Sequence, residues 1–310
     1  MTKAYVHLNQ HGVRTVMPPA QYAGPVLGKS TLLPHLVEEM ADWDIPYPDQ
    51  ARAISLKIIP GTSLVLVINY RTPPTLTRRF GSEAFRRPDR RHCATKMHSG
   101  IIIVQPAETL GAIVVRLRAE AAATLIGDGM LDFLDAQIRL DDLFPAGQVS
   151  SLEEVLAYAR TSAERFSHVE KFLLANLRGR EAELLTSRAA ALLRRNPQLR
   201  VCQLAARFDI SERHLLRNFY ARFGMGPKQF ARVARIERVM AVRSGGVAWA
   251  EVAYRLGFSD QAHMINEFTR IVGVSPAELV RPGTGRGMDS ARGQSPGLAQ
   301  SLEPLREKRH

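Results

Sequence analysis

The hydrophobic rhythm of the chain changes along its length. From residue 52 to residue 118 apolar positions come in short, β-branched runs: 53–59, a Pro60-Gly61 turn, 63–70, then 100–105 and 112–118 with Pro106 and Gly111 between them. Runs of this length bounded by Pro and Gly predict strands. The first two predict a hairpin with a buried second strand, and the set as a whole predicts a barrel or sandwich of modest size. Residues 119–126 shift to a helix-forming composition, and Ser150-Ser151-Leu152-Glu153-Glu154 opens a long helical pattern with hydroxyl caps and early carboxylates. Within it Leu152, Ala159, Phe166 and Leu173 fall seven apart. That stripe fits an amphipathic helix packed on its own domain, with a dimer helix as the alternative. Residues 1–50 are Pro-rich and lack a sustained period, although 30–37 fits a short strand or helix.

The last third has a helical period throughout. A first helix over 183–196 puts Leu184, Leu185, Ala189, Leu192 and Leu193 on one face and ends at Asn196-Pro197. Val201, Leu204, Ala205 and Phe208 then recur at i, i+3, i+4 and i+7, so they share a face, and the small Ala205 permits close approach of the next helix. Asp209-Ile210-Ser211 makes a turn, with Ser211 as the N-cap of a helix over 212–223. Its Leu215, Phe219 and Phe223 face inward, and Arg213, Leu216, Arg217 and Tyr220 face outward.

This plan is repeated. Val252, Ala253 and Leu256 lie 48 residues after Leu204, Ala205 and Phe208, and Ser259 stands where Ser211 stands, as the expected second N-cap. Beyond that point the offset is 49, matching Leu215 with Met264, Phe219 with Phe268, Gly224 with Gly273 and Pro227 with Pro276. One residue has been added at the start of the second outward helix. A self-similar pair is far more specific than either half, since each half alone fits an ordinary helical hairpin. A helix from Pro227 to about residue 243 joins the two units, and Arg232, Arg235 and Arg238 on it suit phosphate contact as well as they suit a solvated or ion-paired state.

Charge supports a polyanionic partner. The 310 residues carry a formal net charge of +12, and residues 184–282 hold 16 Lys plus Arg against 7 Asp plus Glu, whereas residues 1–183 hold 21 against 20. The basicity thus belongs to the repeat, and double-stranded DNA is the expected partner. Cys93 and Cys202 are the only cysteines, too few for a disulfide framework or a zinc finger, which suggests a reducing compartment. The first ten residues contain no apolar leader core and no apolar run approaches the roughly 18 residues of a membrane span, so the expectation is a cytoplasmic protein without a membrane partner.

Residues 250–263, Ala-Glu-Val-Ala-Tyr-Arg-Leu-Gly-Phe-Ser-Asp-Gln-Ala-His, followed by Phe268 and Gly273-Val274-Ser275-Pro276, resemble the signature of the AraC/XylS family of bacterial transcription regulators. The resemblance spans about residues 184–282 and includes the first unit with its Phe219-Tyr220-Ala221-Arg222-Phe223-Gly224 ending. It implies a seven-helix DNA-binding domain with two helix-turn-helix motifs and a linker helix. It also implies that Arg213, Leu216 and Arg217 face bases from the first recognition helix, and that Gln261, His263, Ile265 and Asn266 occupy the comparable region of the second, where His263 suits a phosphate contact or a cap more than base reading. Arginine bridges guanine O6 and N7, and asparagine bridges adenine N6 and N7. Many relatives carry arginine where this chain has Asn266, so the second reader is expected to anchor more weakly. Activation, with RNA polymerase as a partner, is a further implication. Residues 52–145 more weakly resemble the uncharacterised β-rich domain found before this module in some members.

The expected fold class is therefore α+β: a β-rich, barrel-like (cupin-like) domain over 1–148, a helical connector over 149–183, an all-α DNA-binding domain over 184–282 and a disordered basic tail over 283–310. The N-terminal domain is expected to sense a small-molecule effector or to form a homodimer. His92, Cys93 and His98 are the one tempting metal cluster, but strands carrying a His-x-His with a downstream Glu are absent, so neither a metal nor another cofactor is expected. Cys93 is also a candidate redox sensor, and Cys202, beside a packed face, reads as structural. Residues 71–91 hold seven arginines and three prolines in a loop-like setting, read as solvated or as an anion contact. No phosphate loop, nucleophile elbow or paired-carboxylate motif points to an enzyme. An enzyme targeted to DNA and a ligand-independent pairing domain remain the rival readings.

Overall fold

A computed structural model describes residues 6–8, 13–16, 25–73, 76–80, 92–95, 99–106, 108–126, 137–177, 184–244 and 246–280. The strands are β1 (Val6–Leu8), β2 (Val13–Val16), β3 (Val26–Gly28), β4 (Val37–Ile45), β5 (Ser55–Ile58), β6 (Leu64–Asn69), β7 (Leu76–Phe80), β8 (His92–Thr95), β9 (Ile101–Gln105), β10 (Leu110–Leu117) and β11 (Gln137–Arg139). They form two antiparallel sheets, ordered β1-β2-β5-β9-β7 and β11-β8-β6-β10-β4-β3. Neither closes into a barrel among the described residues.

The predicted 53–59/63–70 hairpin does not form. β5 pairs with β2 and β9, whereas β6 pairs with β10 and β8 in the other sheet. β9 and β10 part in the same way, so each Pro or Gly turn carries the chain from one sheet to the other rather than back along a neighbour. The residue pattern of β10 shows why. Ile113, Val115 and Leu117 enter one apolar cluster, and Leu110, Ala112 and Val114 enter another, so both faces of the strand are covered.

The first of those clusters is closed by helices α2 (Ala119–Ile126), α3 (Ala146–Tyr158) and α4 (Ser162–Ala175), with Leu125, Val149, Leu152, Leu156, Val169, Phe172 and Leu173 buried against the six-stranded sheet. The heptad-like run is therefore not one helix. Ala159 leaves the helix with extended backbone, and Thr161 starts the next with a capping box in which its side chain accepts from Glu164 N. Leu152 and Leu173 face their own domain. The second cluster lies between the two sheets, where Trp43 and Ile45 of β4 meet Leu56 and Val104, beside the short α1 (Pro48–Arg52).

The C-terminal part contains α5 (Leu184–Arg195), α6 (Val201–Arg207), α7 (Glu212–Phe223), α8 (Pro227–Ser244), α9 (Trp249–Arg255), α10 (Gln261–Val272) and α11 (Pro276–Val280). It packs directly on the sheets. Ile59, Ile101 and Ile103 join one apolar cluster with Ile236, Val239 and Met240 of α8 and with Val252, Met264 and Phe268 of the second unit. Gly100 N donates to Ile271 O at 2.7 Å across that boundary. Glu237 of α8 accepts from Thr62 N at 3.0 Å, from Thr62 Oγ1 at 2.8 Å and from Arg116 Nη2 at 3.2 Å. Nearby, Arg194 of α5 pairs with Glu38 and Glu120. Burial raises the Glu237 carboxyl above its ordinary pKa, against the pull of Arg116 and Arg194. A cleft of about 300 Å³ beside these groups lies between the two parts of the chain. Residues 283–310 lie outside the described residues.

Candidate nucleic-acid interface

The two helix-turn-helix units are built from matching parts. In the first, the turn places Asp209 at φ 52°, a left-handed conformation that asparagine and aspartate tolerate, and Ser211 Oγ accepts from His214 N at 3.1 Å to cap α7. In the second, Gly257 holds the equivalent turn at φ 68°. Both recognition helices end on left-handed glycines, Gly224 and Gly273, whose N–H groups return to Tyr220 O and Thr269 O. Leu215, Phe219 and Phe223 are wholly buried under α7, and Phe219 and Phe223 pack edge-on with ring centroids 5.0 Å apart.

The second cap differs from the expected one. Asp260, not Ser259, is the N-cap of α10, with Oδ1 accepting from His263 N at 2.7 Å. The residue added to the second unit moves the helix start one place on, and Ser259 instead supports the cap. Its hydroxyl donates to Asp260 Oδ2 at 3.1 Å and lies 2.9 Å from His263 Nδ1. The His263 backbone N–H holds the Asp260 carboxyl below the ordinary aspartate range. The His263 ring also meets Phe258 edge-on at 5.7 Å, which fixes it at the helix entrance.

The outward faces are unequal. On α7, Arg213, Leu216, Arg217 and Tyr220 are all exposed and line a shallow groove of about 430 Å³ with Ser211 and His214. Arg217 Nη2 lies 3.4 Å from His214 Nδ1. On α10, Gln261, His263 and Asn266 are exposed, but Ile265 is half-buried against the apolar cluster of Val252, Met264 and Phe268. Arg270 supplies an exposed cation one turn beyond Asn266.

The linker arginines turn inward. Arg232 Nε donates to Glu267 Oε1 at 3.0 Å, Arg235 pairs with the same carboxylate and lies 4.2 Å over the Phe258 ring, and Arg238 Nη1 donates to Arg195 O at 2.8 Å. Of the readings the sequence left open for them, ion pairing describes Arg232 and Arg235. Glu267, only 5% exposed, is the residue that sequence reasoning missed. Its signal was weak, since a glutamate among polar helix positions reads as solvated, and only the i, i+3 spacing of Arg232 and Arg235 suggested a shared acceptor.

The other candidates fall away from this face. His92 is buried, accepts at Nδ1 from Asn69 N at 3.1 Å and lies 3.1 Å from Glu153 through Nε2. Cys93 is buried, whereas Cys202 is exposed, contrary to the structural role expected of it. Its place beside the packed face of α6 leaves the thiol on the solvent side. No metal-holding group of three or more His, Cys, Asp or Glu occurs among the described residues, and no described helix is long and apolar enough to cross a membrane. His98 and most of 71–91 lie outside the described residues, although 76–80 form β7 rather than loop.

Comparison with known proteins agrees with the architecture of this part. A family model described as a helix-turn-helix domain matches residues 204–281. No curated protein matches the chain. Among solved structures, an apo ToxT variant from Vibrio cholerae aligns at 10% identity and a TM-score of 0.45, covering 77% of this chain and 95% of that one. Wild-type ToxT bound to unsaturated fatty acid aligns at 12% identity and a TM-score of 0.43, covering 77% and 93%. Likeness at that level transfers no ligand or partner. Two units so alike, joined by one helix, are spanned by one family model, so residues 204–281 form a helix-turn-helix domain.

Proposed function

We propose that the chain regulates transcription by laying α7 and α10 into two successive major-groove segments, with α7 as the dominant reader. The observation that carries this is the pair of capped recognition helices held by one linker. The 18 residues of α8 span about 27 Å at 1.5 Å per residue. That is near the roughly 34 Å between successive major-groove faces on one side of a duplex. Arg213 and Arg217 suit guanine O6 and N7, and Asn266 suits adenine. Gln261 and His263, at the entrance of α10, suit phosphate or base edges. Asp260 places a carboxylate at that entrance, which weakens phosphate attraction there.

The N-terminal domain then serves as the sensor for a small-molecule effector or pairs subunits as a homodimer. Its ion-paired contact with α8 supplies a route from that domain to the readers. Family resemblance favours activation through RNA polymerase and a cytoplasmic setting. Genome-wide binding of the tagged chain tests the reading. A motif of two blocks about ten base pairs apart is expected. Binding without a motif overturns it.

A further inference from the structure

We infer that Leu216 reads a thymine methyl group, so that the first half-site contains a thymine beside a guanine; this rests on the reading of α7 as a base-contacting helix. Leu216 and Tyr220 are 44% and 46% exposed, and they sit one turn apart on the face that also carries Arg213 and Arg217. Both side chains border the space beside Gly226 at the start of α8. A methyl group built on that glycine would lie 3.0 Å from Leu216 Cδ1 and 3.4 Å from Tyr220 Cε2. The absent side chain at Gly226 thus leaves room for both, and their neighbours on that side limit the side-chain entropy lost on binding.

Leucine neither donates nor accepts a hydrogen bond, and the C5-methyl of thymine is the apolar group that unmodified DNA shows in the major groove. Arg217 follows Leu216 directly, and Arg213 precedes it by three residues on the same face, so guanine contacts flank the methyl contact. The second unit cannot do the same. Ala262, Ile265 and Thr269 stand in the places of Arg213, Leu216 and Tyr220, and Ile265 is half-buried in its own core. Methyl reading belongs to α7 alone.

The test uses the full chain and a fluorescein-labelled duplex selected by it from a randomised library. Each thymine of the selected site is replaced singly by uracil, which keeps base pairing and removes only the methyl. Affinity is read by anisotropy for the natural chain, Leu216→Ala and Leu216→Met. Losing one methyl contact corresponds to about fourfold weaker binding by hydrocarbon transfer. That loss is expected at one or two thymines for the natural chain and for Leu216→Met, and it vanishes in Leu216→Ala. If no thymine responds, or if Leu216→Ala responds as the natural chain does, the inference is overturned while sequence-specific binding stands. If selection yields no motif, the reading of α7 itself fails and the inference falls with it.

Discussion

Replacing Glu237 by alanine should uncouple the two parts of the chain, whereas replacing it by glutamine should not. The carboxylate accepts three hydrogen bonds from the N-terminal part, two from Thr62 and one from Arg116, and its side chain is 15% exposed. Alanine leaves the wholly buried Thr62 and the 7%-exposed Arg116 side chain without this acceptor. Breaking a buried pair from one side costs about 3–5 kcal/mol. With a urea m-value of about 3 kcal/mol/M for a chain of this size, the midpoint should fall by roughly 1 to 1.7 M.

Glutamine keeps an acceptor, and burial already disfavours the charge it removes, so its cost should be below about 1 kcal/mol. The raised pKa fixes the pH dependence as well. The folded state holds the proton more tightly than the unfolded state, so the stabilisation from this site is full below the ordinary value of 4.5 and declines as pH rises through the raised folded value. Glutamine should abolish that decline. The two tryptophans make the assay selective, because Trp43 lies in β4 and Trp249 in α9. In single-tryptophan versions the two unfolding transitions should coincide for the natural residue and for glutamine, and separate for alanine. Coincident transitions in the alanine variant, or equal losses for both substitutions, would refute this account of the contact.

Other consequences follow from single residues. Ser211→Ala should destabilise the first unit by about 1 kcal/mol, measured by urea unfolding, through loss of the α7 cap. Asp260→Asn should keep helical content by circular dichroism, since asparagine caps as well as aspartate, yet bind DNA more tightly at low salt by removing a carboxylate from the groove entrance. Glu267→Ala should cost about 3–5 kcal/mol by leaving Arg232 and Arg235 without their shared acceptor; a loss below 1 kcal/mol would show the linker arginines free for other work.

The DNA-binding units were legible in the sequence because their determinants are local: a 3.6-residue period, a cap, a left-handed glycine and a repeat at fixed offset. The N-terminal sheets were legible as strands but not as pairings, because β5 and β6 find their partners far along the chain. The longest strand, β4, escaped notice altogether. Its Glu38, Glu39, Asp42 and Asp44 interrupt any apolar period, yet Asp42 and Asp44 meet Arg165, Asp44 also meets Arg71, and Glu38 meets Arg194. Those partners come from 27 to 156 residues away. The break in the heptad run was readable, since Thr161-x-x-Glu164 is a capping box, but the apolar stripe on either side outweighed it. At the second reader, the offset of one residue already implied that the cap had moved from Ser259 to Asp260.

By the proposed function, α7 specifies sequence more strongly than α10. Parallel selection from randomised duplexes with the natural chain, Arg217→Ala and Asn266→Ala tests it directly. Arg217→Ala should erase the preference for guanine at one position of one block, a loss of about 1–3 kcal/mol of discrimination, while Asn266→Ala leaves the strongest block intact. An unchanged motif for Arg217→Ala, or a larger loss for Asn266→Ala, would contradict the account.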